Sequence, residues 1–218
     1  MRRPAIIFDL DGTLLDSLDD IATAANRALA QRGHPTHTTA AIRGFIGDGI
    51  ENLVRRALPN THRQPDEIEA TVAAMIAAYA TSDFARTQPY PGINQLIAEL
   101  TRRQLPLAVL SNKNDDFVVQ LTQLRFADHF TIARGARPGV PKKPHPQAAL
   151  ELAQQLGVPA QACVFVGDTA VDIETAHAAK MYPVGVSWGF RPRAELQAAR
   201  ASVIIDQPGE LLGLLSKL

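Results

Sequence analysis

Short apolar runs recur along the chain, separated by longer segments that show helical periodicity. Most of these runs are continuously apolar rather than alternating, a pattern typical of strands covered on both faces, as in a parallel sheet. We therefore expect six strands, at residues 5–8, 107–110, 130–133, 163–166, 184–187 and 202–205.

Amphipathic helical stripes lie between several of these runs. Their apolar members recur at spacings of one, three and four residues, which places them on one helical face. The alternation of strand and helix predicts a doubly wound, mainly parallel, Rossmann-like α/β sheet. The stripes are Ile93, Leu96, Ile97 and Leu100; Phe117, Val118, Leu121 and Leu124; and Ala149, Leu150, Ala153 and Leu156.

One long segment, from Leu18 to about Ser82, contains no strand candidate. It instead carries three amphipathic stripes, separated by turn-forming residues at 33–35, 47–49 and 59–60. This pattern predicts a small helical domain inserted after the first strand. We expect an α/β core formed by residues 1–15 and 88–218 and a helical domain formed by residues 16–87.

Composition and charge narrow the functional classes. The 218 residues contain 22 Lys plus Arg and 22 Asp plus Glu, so the chain lacks the basic excess of a nucleic-acid-binding protein. The single cysteine, Cys163, lies in an apolar run and is expected to be a buried, unreactive thiol. The sequence shows neither a signal-peptide core nor an apolar run long enough to cross a bilayer. We expect a cytoplasmic protein without membrane or nucleic-acid partners.

Acidic residues follow directly after two of the predicted strands. Ligands in open α/β sheets bind beyond the carboxyl ends of the strands, so these acids lie where chemistry is expected. Each acid alone is also compatible with an ordinary turn or helix cap. Capping does not, however, explain acids at both strand ends: Asp9 and Asp11 after the first run, and Asp168 and Asp172 after the fourth.

A cation would explain why several carboxylates gather at one edge of the sheet. Carboxylates brought together repel one another unless a positive charge joins them. A ligand set made of oxygen atoms suits Mg²⁺ better than Zn²⁺. The pattern therefore indicates a magnesium site.

Two further segments supply groups suited to binding phosphate. Ser111 and Asn112 follow the second predicted strand, where a hydroxyl and backbone N–H groups at a helix start can hold phosphate oxygens. Lys143 lies between Pro141 and Pro144, whose fixed φ angles lower the entropy lost in positioning its ammonium. A turn for the first segment and a solvated basic loop for the second remain open alternatives.

Together these residues resemble the four motifs of the haloacid dehalogenase superfamily. Order and spacing agree over essentially the whole chain, and the first and fourth motifs carry most of the specificity. Lys143 is preferred to Lys142 because it directly precedes a proline in the family pattern, and the helical insertion resembles the family's small α-helical cap. The motifs correspond to residues 9–17, Ser111-Asn112, Lys143-Pro144 and residues 167–172.

The resemblance implies a Mg²⁺-dependent phosphatase that acts through an aspartyl phosphate. Asp9 would be the nucleophile, and Asp11 would protonate the leaving group and then activate water. The presence of an acid at Asp11 favours phosphate-ester chemistry over carbon–halogen or phosphonate cleavage. The binding residues implied are Ser111, Asn112 and Lys143 for phosphate, and Asp9, the backbone carbonyl of Asp11, Asp168 and, in support, Asp172 for the metal.

The segment 42–58 resembles the cap of phosphoglycolate phosphatases, which favours 2-phosphoglycolate or another small phosphorylated metabolite as substrate. Asp16, Ser17 and Arg43 are the candidate residues for reading that substrate, although a surface arginine is an alternative for Arg43. The oligomeric state is expected to be a monomer or a homodimer.

Two other functions remain open. A sugar phosphomutase of the β-phosphoglucomutase type shares all four motifs and the type of cap, and it would return the phosphate to a sugar rather than to water. A phospho-aspartate signalling module also uses a strand-end aspartate and magnesium. The acid at Asp11 and the long helical insertion argue against that module.

Overall fold

The computed structural model describes residues 4–217, and the chain divides into two compact units. One unit contains the residues up to Leu15 and those from Pro89 onward, and the other is Asp16–Gln88. Across the described residues, the helices fall short of the length and apolarity that crossing a bilayer requires.

The first unit is built on a six-stranded sheet in which all strand pairings are parallel. In chain order the strands of the protein are β1 (Ala5–Phe8), β2 (Leu15–Asp16), β3 (Gln88–Pro89), β4 (Leu107–Asn114), β5 (Ile132–Ala136), β6 (Cys163–Gly167), β7 (Tyr182–Val186) and β8 (Val203–Ile205). The sheet order is β5-β4-β1-β6-β7-β8, and β2 pairs separately with β3. The predicted doubly wound parallel sheet is confirmed.

The direction of the strand order reverses at β1. The chain moves from β1 to β4 and β5 on one side and then returns to β6, which pairs with the other side of β1. The carboxyl ends of β1, β4 and β6 are therefore neighbours. This is the position at which open α/β sheets bind ligands.

Helices alternate with the strands of the sheet, and they make up the regular structure of the second unit apart from its end residues, Asp16 of β2 and Gln88 of β3. The second unit contains α1 (Leu18–Gln31), α2 (Thr39–Phe45), α3 (Ile50–Ala57) and α4 (Pro65–Ala80). The first unit contains α5 (Ile93–Arg102), α6 (Asp115–Phe126), α7 (Gln147–Gln155), α8 (Ala170–Ala179), α9 (Arg193–Ala198) and α10 (Glu210–Leu215).

Burial of the central strands explains their continuous apolar pattern. All four residues of β1 are at most 1% exposed. On one face of the sheet, Ile7, Leu110 and Phe165 belong to a buried cluster that includes residues of α7 and α8. Cys163 lies in the same cluster, where burial raises the pKa of its thiol to about 11 and keeps it protonated at neutral pH, as expected for an unreactive cysteine.

The structure corrects the predicted end of β4. The apolar run stops at Leu110, but the strand continues through four polar residues to Asn114, and its pairing with β5 is irregular between these two positions. Helix α6 begins only at Asp115, where the side chain of Asn114 caps it by accepting a hydrogen bond from the backbone N–H of Asp116 at 3.0 Å. Ser111 and Asn112 therefore lie within a strand and not at a helix start.

The three predicted stripes of the second unit correspond to α1, α3 and α4, whereas α2 was not predicted. Ile42 is the buried residue of this seven-residue helix, so α2 has no apolar period that a sequence pattern could reveal. Its N-terminus is fixed by Thr38, whose hydroxyl accepts a hydrogen bond from the backbone N–H of Ala41 at 3.2 Å.

Candidate active site

The chain turns sharply after β1, and this turn brings Asp9 and Asp11 to the edge of the sheet. The backbone N–H of Asp9 still donates to Val166 O at 2.9 Å, which continues the pairing with β6. Gly12 follows with a φ of +85°, a conformation that favours glycine, and a Cβ at this position would overlap the Asp168 carboxylate. The turn therefore requires the glycine of the first motif.

Asp168 is fully buried directly after β6, and its carboxylate is held from two sides. The hydroxyl of Thr13 donates to Oδ1 at 3.1 Å, and the backbone N–H of Phe190 donates to Oδ2 at 2.7 Å. Thr13 O in turn accepts a hydrogen bond from Trp188 Nε1 at 3.1 Å. These contacts fix the orientation of Asp168 by connecting the turn after β1 to the loop after β7.

Asp172 lies in the first turn of α8 and has two partners. Its Oδ2 accepts hydrogen bonds from the backbone N–H and the hydroxyl of Thr169 at 3.0 and 2.8 Å. The first of these bonds is the contribution of the Asp172 side chain to a capping box at the start of α8. Its Oδ1 accepts from Lys143 Nζ at 2.6 Å. Asp172 therefore orders both the start of α8 and the buried lysine.

Lys143 contacts the acids Asp9 and Asp172, whereas Lys142 is exposed to solvent. The Lys143 side chain is 2% exposed, and its Nζ lies 3.0 Å from Asp9 Oδ1. Burial acts to lower the pKa of Lys143, but the carboxylates of Asp172 and Asp9 outweigh it and raise the pKa above its ordinary value. The ion pairs with these two acids therefore favour the charged form of Lys143.

Asn112 positions the Lys143 backbone. Its side-chain amide donates to Lys143 O at 3.0 Å and accepts from the backbone N–H of Lys143 at 2.9 Å. The side-chain amide of Asn112 therefore holds the lysine loop, and its contact with phosphate stays a prediction.

Three acids form a cluster at the site: Asp9, Asp168 and Asp172. Their combined formal negative charge is larger than the single positive charge of Lys143. One carboxylate oxygen of each lies within 4.8 Å of the others, and all three residues are buried. Burial, reinforced by the charges of neighbouring acids, raises the pKa of Asp9 to about 7 although Lys143 opposes the shift. Burial, with the charges of Asp172 and Asp9, also raises the pKa of Asp168 well above its usual range.

One buried oxygen of this cluster is left without a hydrogen bond. Among the described residues, Asp9 Oδ1 has no hydrogen-bond partner, and its contact with Lys143 Nζ lacks hydrogen-bond geometry. A buried carboxylate oxygen without such a partner is costly, and a divalent cation supplies the missing interaction. The donor set, made of carboxylate oxygens with surplus negative charge, therefore fits Mg²⁺.

Ser111 is buried in the polar end of β4, and Lys113 follows two residues later. Lys113 Nζ contacts both carboxylate oxygens of Asp11, at 3.1 Å to Oδ1 and 2.9 Å to Oδ2. The sequence motifs indicated no role for Lys113. Its spacing of two residues from Ser111, which is the period of a strand, was the signal that could have revealed it.

The three candidate residues for substrate recognition all belong to the second unit. Asp16 is exposed, Ser17 is buried immediately before α1, and Arg43 is exposed on α2. Their role in reading a substrate stays a prediction.

We expect Gly189→Ala to impair both stability and activity because a Cβ at this position would overlap Asp168 and the carbonyl oxygen of Gly12. Overpacking of this kind costs about 1–3 kcal/mol. Denaturant unfolding and assays of the expected phosphatase activity would check both effects. Gly213→Ala is the matched control, since a Cβ there meets nothing within 4 Å. If the two variants had equal stability and equal activity, the loop after β7 would have adjusted to the added Cβ, and it would not be needed to fix the orientation of Asp168.

Comparison with known proteins relates the chain to one group of enzymes. The model of the haloacid dehalogenase-like hydrolase family matches residues 6–186. A phosphoglycolate phosphatase from Pseudomonas putida is 35% identical over 212 residues, which cover 95% of this chain and 78% of that protein. A phosphoglycolate phosphatase from Nitrosococcus oceani is 30% identical over 222 residues, which cover 100% of this chain and 99% of that protein. A crystal structure of a protein from Lactobacillus delbrueckii subsp. bulgaricus superposes with a TM-score of 0.92 at 33% identity and covers 99% of each chain.

Proposed function

This chain belongs to the haloacid dehalogenase-like hydrolase family, and we propose that it is a Mg²⁺-dependent phosphatase of small phosphate monoesters, with 2-phosphoglycolate the favoured substrate. The observation that carries the proposal is the environment of Asp9. Its Oδ1 has no hydrogen-bond partner among the described residues, lies 3.0 Å from a buried ammonium and belongs to a cluster of three acids. An oxygen so placed is suited to attack phosphorus or to bind a metal, and it is poorly suited to a structural role.

In the first step, a carboxylate oxygen of Asp9 attacks phosphorus while the bond from phosphorus to the ester oxygen breaks. Asp11 donates a proton to the departing oxygen, so that the leaving group departs as an alcohol. Asp9 then carries the phosphoryl group as an acyl phosphate.

In the second step, a water molecule attacks the phosphorus of the phospho-aspartate. Asp11, which is now ionised, accepts a proton from this water. The bond between phosphorus and the Asp9 oxygen breaks, inorganic phosphate is released, and both acids return to their starting states.

The remaining residues of the site bind and orient the reacting groups. Lys143 and the hydroxyl of Ser111 would hold oxygens of the phosphoryl group, and Asn112 keeps the lysine loop in place. Asp9, the backbone carbonyl of Asp11 and Asp168 would hold Mg²⁺, with Asp172 in support. When bound, Mg²⁺ offsets the repulsion between the Asp9 carboxylate and the anionic phosphate.

The second unit would serve as the cap that selects the leaving group, with Asp16, Ser17 and Arg43 as the recognition residues. The preference for 2-phosphoglycolate is supported by the relatives from Pseudomonas putida and Nitrosococcus oceani, both of which are phosphoglycolate phosphatases. Small acids with an ester phosphate are therefore the first substrates to examine.

A screen for phosphate release tests the proposed function. We expect 2-phosphoglycolate to give the highest kcat/KM among small phosphorylated acids and sugars in the presence of Mg²⁺. A requirement for a sugar bisphosphate, with transfer of phosphate to sugar rather than to water, would instead identify a phosphomutase. Persistent labelling of Asp9 without turnover would identify a signalling module.

A further inference from the structure

Two lysines with little solvent exposure lie at this site, and each contacts a different one of the two proposed catalytic acids. Lys143 contacts Asp9 and Asp172, whereas Lys113 contacts both oxygens of Asp11. In the proposed reaction Asp9 acts at phosphorus and Asp11 acts at the ester oxygen. One ammonium is therefore on the phosphoryl side of the bond that breaks, and the other is on the side of the leaving group.

Lys113 is too protected to resemble an ordinary surface lysine. The side chains of Lys113 and Asp11 are each 10% exposed. An ion pair with this little solvent has lost much of its hydration, and such groups interact strongly with any further charge that reaches them. A leaving group that carries an anion would be attracted to this ammonium where Asp11 gives up part of its contact with it.

Contact between Asp11 and a substrate requires a rearrangement of the Lys113 pair. Both carboxylate oxygens of Asp11 lie within hydrogen-bond distance of the same Nζ. An oxygen of Asp11 that turns towards the ester oxygen of a substrate would weaken its contact with the ammonium. A neutral leaving group would leave Lys113 with a lost contact, which is costly for a desolvated charge.

A carboxylate on the carbon next to the ester oxygen would replace the contact that Asp11 gives up. We infer that Lys113 is a specificity-determining residue that favours phosphate monoesters whose leaving group is a 2-hydroxy carboxylate. The inference rests on the proposed phosphatase function and deepens it, because it assigns recognition of the leaving group's charge to a residue of the sheet.

The kinetic test compares 2-phosphoglycolate with 2-hydroxyethyl phosphate, which replaces the carboxylate by a neutral hydroxymethyl group. For Lys113→Met, kcat/KM should fall about 10-fold or more further for 2-phosphoglycolate than for the neutral ester, whose own loss measures the effect of Lys113 on Asp11. Lys113→Arg should retain part of the preference because it keeps the charge. Lys180→Met, at an exposed position, is the control and should resemble the wild type. An equal loss for both esters, or no loss for either, would overturn the inference.

A binding experiment separates this inference from the proposed function. Calorimetry with Mg²⁺ would compare 3-phosphonopropionate with 3-hydroxypropylphosphonate, neither of which needs to react. The wild type should bind the carboxylate compound about 10-fold or more tightly, and Lys113→Met should lose this preference. A wild type that binds both equally refutes the role of Lys113 even if every variant misfolds. A wild type that binds selectively but hydrolyses no ester refutes the phosphatase proposal alone.

Discussion

Replacement of Asp9 by asparagine is expected to lower kcat by about 10,000-fold or more, because an uncharged amide cannot form the acyl phosphate. The same substitution should leave thermal stability in the absence of Mg²⁺ unchanged or higher. Burial raises the pKa of Asp9 to about 7, so the native environment disfavours the charged carboxylate that asparagine replaces. Phosphate-release kinetics and thermal unfolding on the same preparations would measure both effects.

Asp116→Asn provides the matched control for this variant. Asp116 is exposed at the start of α6 in the same unit, so the same chemical change there should affect neither kcat nor stability appreciably. If Asp9→Asn kept more than about 1% of wild-type kcat, Asp9 could not be the nucleophile. If it lost activity together with its folded structure, Asp9 would have a mainly structural role.

Removal of Mg²⁺ with a chelator is expected to reduce turnover to background, and its return should stabilise the folded protein. At a concentration 100 times its Kd, the cation adds about 2.7 kcal/mol to the free energy of unfolding. For a chain of this length that corresponds to an increase of roughly 5–10 °C in Tm. Thermal unfolding with and without Mg²⁺ would measure the increase.

The stabilisation by Mg²⁺ should also grow with pH. Without the cation, the pKa of Asp9 is raised from 3.8 to about 7, so between these values the folded state binds more protons than the unfolded state. The free energy of unfolding of the metal-free protein therefore falls as pH rises through this range. Mg²⁺ competes with those protons, and the Tm increase should be larger at pH 8 than at pH 5.

Asp168→Asn tests where the cation binds. The substitution removes one charge from the proposed ligand set while keeping the shape of the side chain, so most of the Mg²⁺-dependent Tm increase should disappear. An undiminished increase in this variant would place the stabilising cation elsewhere in the protein.

The hydrophobic pattern predicted the sheet well because the central strands are covered on both faces. Continuous apolar runs identified β1 and β6 closely, since burial selects every residue of such strands. The same reasoning failed at the end of β4, where residues 111–114 are polar and still extended. Residues that serve a site are chosen for their chemistry, so hydrophobicity does not mark where their strand ends.

The motifs predicted that several of the candidate residues lie close to one another, but they did not reveal which side chains contact each other. Asp9, Asp168 and Asp172 do cluster, and Lys143 rather than Lys142 contacts them. The pairing of Lys113 with Asp11 joins residues 102 positions apart, and only the parallel register of β1 and β4 brings them together. Such contacts depend on tertiary structure and leave little trace in local sequence.

The double engagement of Asp172 restricts how this site can evolve. Its carboxylate accepts hydrogen bonds from Thr169 at the start of α8 and from the Lys143 ammonium. A substitution at Asp172 that suits one of these partners therefore disturbs the other. Lengthening it to glutamate would shift the lysine, and shortening the reach of the lysine would release the helix start. We therefore expect Thr169, Asp172 and Lys143 to be inherited as one unit, with successful replacements arising as coordinated changes at two or three of these positions.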